Sequence, residues 1–162
     1  MTWIHLLIVV SVFLIMEFVA WALHKYVMHG FLWHLHEDHH VKQPGFFEKN
    51  DAFFLVFAIP SFLFFLFGTI YSLGVLISIA AGVTLHGIAY FLVHEVFIHQ
   101  RFKWFKNSNN IYLRSVLLAH KMHHKHLGKH KGESFGMLII HPKYYRQQLQ
   151  LERKKRAIAK QS

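Results

Sequence analysis

Residues 52–93 read AFFLVFAIPSFLFFLFGTIYSLGVLISIAAGVTLHGIAYFLV, 42 positions without one Asp, Glu, Lys or Arg. A hydrocarbon core about 30 Å thick takes about 20 helical residues, so this stretch is twice a span. As one helix it would run about 63 Å at 1.5 Å per residue, too long for a bilayer. The reading is therefore a helical hairpin with spans at about 52–71 and 74–93. Its turn falls at Tyr71-Ser72-Leu73-Gly74, where Ser and Gly punctuate helices. Pro60 is expected to kink the first arm.

Upstream, Trp3 to Leu23 is a second apolar run, interrupted only by His5 and Glu17. No Lys or Arg precedes it and no small-x-small cleavage site follows it, so an uncleaved first membrane helix is expected. All 18 Lys and Arg lie in residues 24–51 and 94–162. By the positive-inside rule the amino terminus and the hairpin turn lie outside, and the remainder faces the cytoplasm, in the inner (cytoplasmic) membrane. The expected fold class is an all-α integral membrane protein with three transmembrane helices and a cytoplasmic helical cap. Residues 1–162 are read as one domain. After the last span, Asn107-Ser108-Asn109-Asn110 offers an N-cap for a helix starting near Ile111, and Lys103, Trp104 and Lys106 read as interfacial. Residues 143–162, with Lys154-Lys155-Arg156, read as a solvated basic tail helix near anionic lipid.

Composition agrees. The chain is 54% hydrophobic with 17 Phe, yet its net charge is +10, a combination that arises when the two properties are segregated along the sequence. Topology accounts for the basic excess, so no nucleic-acid partner is implied. Cysteine is absent, which excludes disulfides, iron–sulfur clusters and thiolate metal sites. A metal here must be held by imidazole or carboxylate.

The charged flanks carry a duplicated pattern. His24-Lys25-Tyr26-Val27-Met28-His29 precedes His36-Glu37-Asp38-His39-His40, and His94-Glu95-Val96-Phe97-Ile98-His99 precedes His120-Lys121-Met122-His123-His124. Ten of the 16 histidines thus form HxxxxH followed by HxxHH, twice. The hairpin brings both copies to one membrane face. At 100° per residue, His36, His39 and His40 point from one face, as ligands of one centre require, and His120, His123 and His124 repeat this. The HxxxxH pairs fall about 140° apart on a regular helix, so either the helix ends between them or each ring serves a different ion. Two metals bridged by four segments are favoured over one. An isolated histidine at a membrane boundary is ordinarily interfacial, and His5, His126, His130 and His141 are read so. Ten in a repeated spacing are not, since metal binding keeps clustered imidazoles neutral.

Supporting groups are sought among the few acids. Glu17 sits seven residues before His24, on nearly the same helix face, and is expected to hydrogen-bond a ligating imidazole from another segment. Glu37, Asp38 and Glu95 lie inside the boxes and are further candidate acceptors. His86, inside the third span, is read as a site-lining or supporting residue. His34 is left open between bystander and supporting group. With so few carboxylates, a di-iron bundle built on Glu-x-x-His pairs is not supported.

At these boxes the chain resembles the membrane-bound fatty acid hydroxylase superfamily, and within it the bacterial carotenoid ring hydroxylases. The resemblance runs from about residue 15 to 140. It rests on His24-Lys-Tyr-Val-Met-His29-Gly30, His36-x-x-His39-His40, Phe47-Glu48-x-Asn50-Asp51, His94-x-x-x-x-His99-Gln100-Arg101, His120-x-Met122-His123-His124 and Ser134-Phe135-Gly136. Two departures are Glu95, where Asp is commoner, and Phe102-Lys103, where a Trp-Pro type pair is more usual. The resemblance implies oxygen-dependent hydroxylation of a β-ionone ring at carbon 3. It implies two non-haem irons on the ten box histidines, O2 as co-substrate and a reduced ferredoxin-like electron donor. The same scaffold also serves ring ketolases and sterol or fatty-acid hydroxylases. A metal transporter is a weaker alternative, because transport sites lie near the midplane while these histidines cap the spans on one side. Zinc would bind imidazoles but lacks the redox chemistry.

Overall fold

The computed structural model describes residues 2–41, 43–104, 108–128, 130 and 132–161, with no strand among them. Helix α1, Trp3–Ala22, runs without a break into a π-wound segment, Leu23–Phe31. Helix α2 spans Trp33–His40, a short 3-10 turn covers Lys49–Asp51, and α3 spans Ala52–Ile70. Helix α4, Gly74–Phe91, runs into a second π-wound segment, Leu92–Ile98. Helices α5, Ile111–His123, and α6, Pro142–Ala159, complete the order.

Three stretches are long and apolar enough to cross a membrane: Trp3–Phe31, Lys49–Ile70 and Gly74–Ile98. The first and third outrun the expected spans because the helices run on into the histidine boxes, the first to a kink at Gly30 just past His29 and the third to Ile98, just before His99. The hairpin turns as the sequence indicates, with Leu73 N donating to Gly68 O at 2.8 Å and Ser72 in the left-handed region at φ 54°. Helix α3 continues through Pro60.

Helix α4 packs against both α1 and α3. A Cβ at Gly82 would lie 2.7 Å from Val12 Cβ, so the α1–α4 crossing is possible only without a side chain there. The α3–α4 contact is tied by Ser61 Oγ, which donates to Ala80 O at 3.1 Å and lies 2.9 Å from Thr84 Oγ1. Such bonds between spans form where no water competes. Helices α1 and α4 both end, and α3 begins, at the end that carries the histidines.

Helix α5 starts where expected: Asn110 Oδ1 accepts from Leu113 N at 3.2 Å. Lys106 and Asn107 lie outside the described residues. The basic tail differs from its reading. Helix α6 is not solvated all round, because Tyr144 and Gln148, one turn apart, are buried and the helix packs on α5. Glu152 on its flank accepts from Arg114 of α5. His141, read as a bystander, caps α6 by accepting from Lys143 N at 3.2 Å.

Candidate metal centre

The first HxxxxH box sits in a π-wound segment, and the second starts in one and ends on its C-cap, His99, and this resolves the 140° difficulty. A π winding closes hydrogen bonds five residues apart, so positions i and i+5 stack on one face instead of diverging. The bonds are present: Leu32 N donates to Val27 O at 3.0 Å and His99 N to His94 O at 2.9 Å. Of the two expected alternatives, a helix end does fall between His94 and His99, because the second segment stops at Ile98 and His99 caps it, and in the first box the helix kinks at Gly30 directly after His29. The missing signal was helical pitch, which the α-helical 100° step took for granted.

The ten box histidines divide into two adjacent groups. His24, His29, His36, His40 and His123 each offer a ring nitrogen within 4.8 Å of the others, and His39, His99, His120 and His124 do the same. His94 joins the second group by ring contact, 4.7 Å from His39, 4.5 Å from His99 and 4.9 Å from His120 between centroids. The groups abut through His40 and His124, whose rings stack at 4.3 Å. Both consist of histidine alone.

This division corrects one expectation. His36, His39 and His40 do not converge on one centre. His36 and His40, four apart, stay with the first group, while His39 crosses to the second. In the other copy His120 and His124 stay with the second group and His123 crosses to the first. The wide face that the three rings span, from about −60° to +40°, lets the middle position face a neighbouring centre.

Ring tautomers follow from outward partners. His24 Nδ1 meets Phe135 O at 2.9 Å, His29 Nδ1 meets Leu127 O at 2.8 Å, His36 Nδ1 meets Asn50 Oδ1 at 2.6 Å, and His123 Nδ1 meets Glu133 O at 3.1 Å. These oxygens only accept, so Nδ1 carries the hydrogen and Nε2 presents a bare lone pair inward. Yet His24 Nε2 lies 3.0 Å from His36 Nε2, and His29 Nε2 lies 3.2 Å from His123 Nε2. Two lone pairs facing each other repel unless a cation sits among them. In the second group His39 Nδ1 donates to Glu48 Oε2 at 3.0 Å and His94 Nδ1 to Glu95 Oε1 at 2.6 Å. Their Nε2 atoms are buried without a hydrogen-bond partner. The donor set therefore fits metal ions, one per group.

Proton competition is suppressed. Burial, then the neighbouring imidazoles, depress His123 to about 3 and His124 to about 4, and burial depresses His36 to about 4. His39, His40 and His120 shift the same way for the same reasons. His36 and His94 are 1% exposed and His123 is 0%. All six rings stay neutral and able to ligate at neutral pH.

The candidate supporting residues fare differently. Glu95 accepts from a box imidazole, as expected. Glu17 does not: its Oε1 accepts from Met137 N, Leu138 N and Ile139 N at 2.9, 2.8 and 2.9 Å, and its Oε2 lies 3.3 Å from His86 Nε2. It therefore clamps the loop whose Phe135 carbonyl orients His24, one step removed from the imidazole it was expected to hold. His86 pairs with Glu17 and packs on Phe13 and Tyr90, outside both groups. Two helical turns, about 12 Å, separate it from His94. Asp38 accepts from Lys49 N at 2.6 Å, and Glu37 and His34 are exposed. Sequence reasoning gave no role to Glu48 and Asn50. The signal was an acid and an amide two residues apart in the connection between a box and a span. Phe135, buried against His24, His29 and His123, was also missed.

Residues 9–141 match the fatty acid hydroxylase family. The chain is 40% identical over 143 residues to the beta-carotene hydroxylase of Pantoea ananas, covering 88% of this chain and 81% of that one. It is 37% identical over 135 residues to the beta-carotene hydroxylase of Pseudescherichia vulneris, covering 83% and 76%. It is 36% identical over 127 residues to beta-carotene hydroxylase 2, chloroplastic, of Capsicum annuum, 76% of this chain and 41% of that protein. No solved structure matches the chain.

Proposed function

The chain belongs to the fatty acid hydroxylase family, and we propose that it is a membrane-bound monooxygenase that hydroxylates the β-ionone ring of a carotenoid at carbon 3. β-Carotene would pass through β-cryptoxanthin to zeaxanthin. One atom of O2 enters the ring C–H bond. The other leaves as water, with two electrons from a reduced ferredoxin-like donor and two protons. The observation that carries this reading is the pair of all-histidine groups whose Nε2 lone pairs converge at the end of the membrane helices.

In this reading His24, His29, His36, His40 and His123 hold one ion, and His39, His94, His99, His120 and His124 hold the other. Two non-haem irons bound there would supply the oxygen activation that no side chain offers. The chain's own residues do the rest. Phe135 covers the first group, Tyr90 packs tilted 4.9 Å from His94, and the near-zero exposure of His36, His94 and His123 keeps water away. The outward apolar faces of α1, α3 and α4 lie in hydrocarbon, where a wholly apolar substrate dissolves. The chain acts as one membrane-embedded domain of the inner membrane, amino terminus outside, with the basic face receiving an acidic electron donor from the cytoplasm.

The test is to express the chain in bacteria that accumulate β-carotene and to chromatograph their pigments, with His123→Ala alongside. Zeaxanthin and β-cryptoxanthin from the native chain alone are expected. Keto products would reassign the reaction, and untouched carotene would reassign the substrate.

A further inference from the structure

The two groups share a ligand type but not the oxygens behind the ligands. In the first group all four imidazoles with an assigned Nδ1 partner donate to neutral oxygens: three main-chain carbonyls and the Asn50 amide. In the second, His39 and His94 donate to carboxylates, Glu48 and Glu95. The surroundings reinforce the difference. Beside the second group Arg101 contacts Asp51 at 2.7 and 2.9 Å and Glu95 at 3.0 Å, so with Glu48 three carboxylates stand near one guanidinium. The cover of the first group has a cation nearby instead, Lys25 Nζ 5.9 Å from the Phe135 ring. Asp38 engages the Lys49 backbone rather than an imidazole.

A carboxylate accepting the Nδ1 hydrogen pushes electron density toward Nε2, making it a stronger donor to a cation, and it adds negative charge a few ångströms from the ion. A carbonyl orients the ring with much less of either effect. We infer that the two centres are unequal: the Glu48- and Glu95-backed centre fills first and holds its ion more tightly, and the carbonyl-backed centre is the weaker one. This rests on the two-ion reading above. Glu48 and Glu95 are then positioning residues that act through His39 and His94.

The experiment is a chelator titration of the purified iron-loaded protein in detergent, following iron per chain at equilibrium. Two steps of one iron each are expected. Glu48→Gln and Glu95→Gln, which keep an acceptor and remove the charge, should weaken the tighter step by about 10–100-fold and leave the weaker step alone. Asn50→Asp should tighten the weaker step, and His123→Ala should abolish that same step. Release of both irons in one step from the native chain, or weakening of the weaker step by Glu48→Gln, overturns the inequality. A native chain that never holds more than one iron overturns the two-ion reading itself.

Discussion

The two copies of the histidine pattern place their rings alike and differ in what stands between them. Directly after the first histidine the upstream copy has Lys25 and the downstream copy has Glu95. Glu95 folds back onto His94 Nδ1. Lys25 lies over the Trp21 and Tyr26 rings, 5.2 and 5.4 Å from their centroids, makes no hydrogen bond to the His24 ring, and leaves that ring to a carbonyl 111 residues downstream. Histidine spacing decides which nitrogens meet. The intervening residues decide which oxygens stand behind each set of nitrogens.

The largest effect comes from the residues that cross between copies. His39 and His123 occupy the same position in their boxes and each serves the other copy's centre. His39→Ala should therefore empty the downstream centre and His123→Ala the upstream one, the reverse of what chain order suggests. Each should cut hydroxylated product by more than the roughly 100-fold that supporting partners cost, and each should retain one iron per chain. If His39→Ala instead behaved in chelator titration like His36→Ala, the crossing would be wrong.

Most of the scaffold is legible in the residues. The uncharged block 52–93 can only be a hairpin, and Asn110 announces α5. The ten histidines are legible too, but their grouping is not. It depends on π winding at 23–31 and 92–98, a rare register that the α-helical period does not encode. The supporting shell is legible only where it is local. Glu95 adjoins its histidine, whereas the partners of His24, His29 and His36 come from loops whose course no periodicity encodes. Glu17 was visible as a buried acid, but its partners, 120 to 122 residues away, were not.

A smaller effect, confined to one centre, follows from that clamp. Three consecutive backbone N–H groups converge on Glu17 Oε1, and removing the carboxylate leaves that of Met137 buried and unpaired, at about 1–3 kcal/mol, with a smaller loss at the less buried Leu138 and Ile139. The loop they fix carries Phe135 O and Glu133 O, which orient His24 and His123 of the upstream centre. Glu17→Leu should lower product formation by about 10–100-fold and weaken only the upstream iron. Glu17→Gln keeps one acceptor oxygen and should lose less. Equal loosening of both irons would show that the clamp stabilises the whole bundle rather than one centre.

Acid should separate the copies least. His36 of the upstream copy is depressed to about 4, and His123 and His124 of the downstream copy to about 3 and about 4, in each case by burial first. Above the ordinary imidazole value of 6.5 both folded and unfolded chains hold these rings neutral, so stability is independent of their titration. Below it the unfolded chain takes up protons that the folded metal-free chain refuses, so stability falls as pH falls, and keeps falling until the folded values near 4 are reached. Thermal unfolding of the metal-free protein in detergent should therefore drop steadily from pH 6.5 toward pH 4. Replacing His36 or His124 with Gln should flatten that slope to a similar degree, because burial acts on both copies whatever oxygen backs their rings. A slope flattened by only one of the two would mean that the copies differ in burial as well as in charge, and the contrast between Lys25 and Glu95 would then be too narrow an account of them.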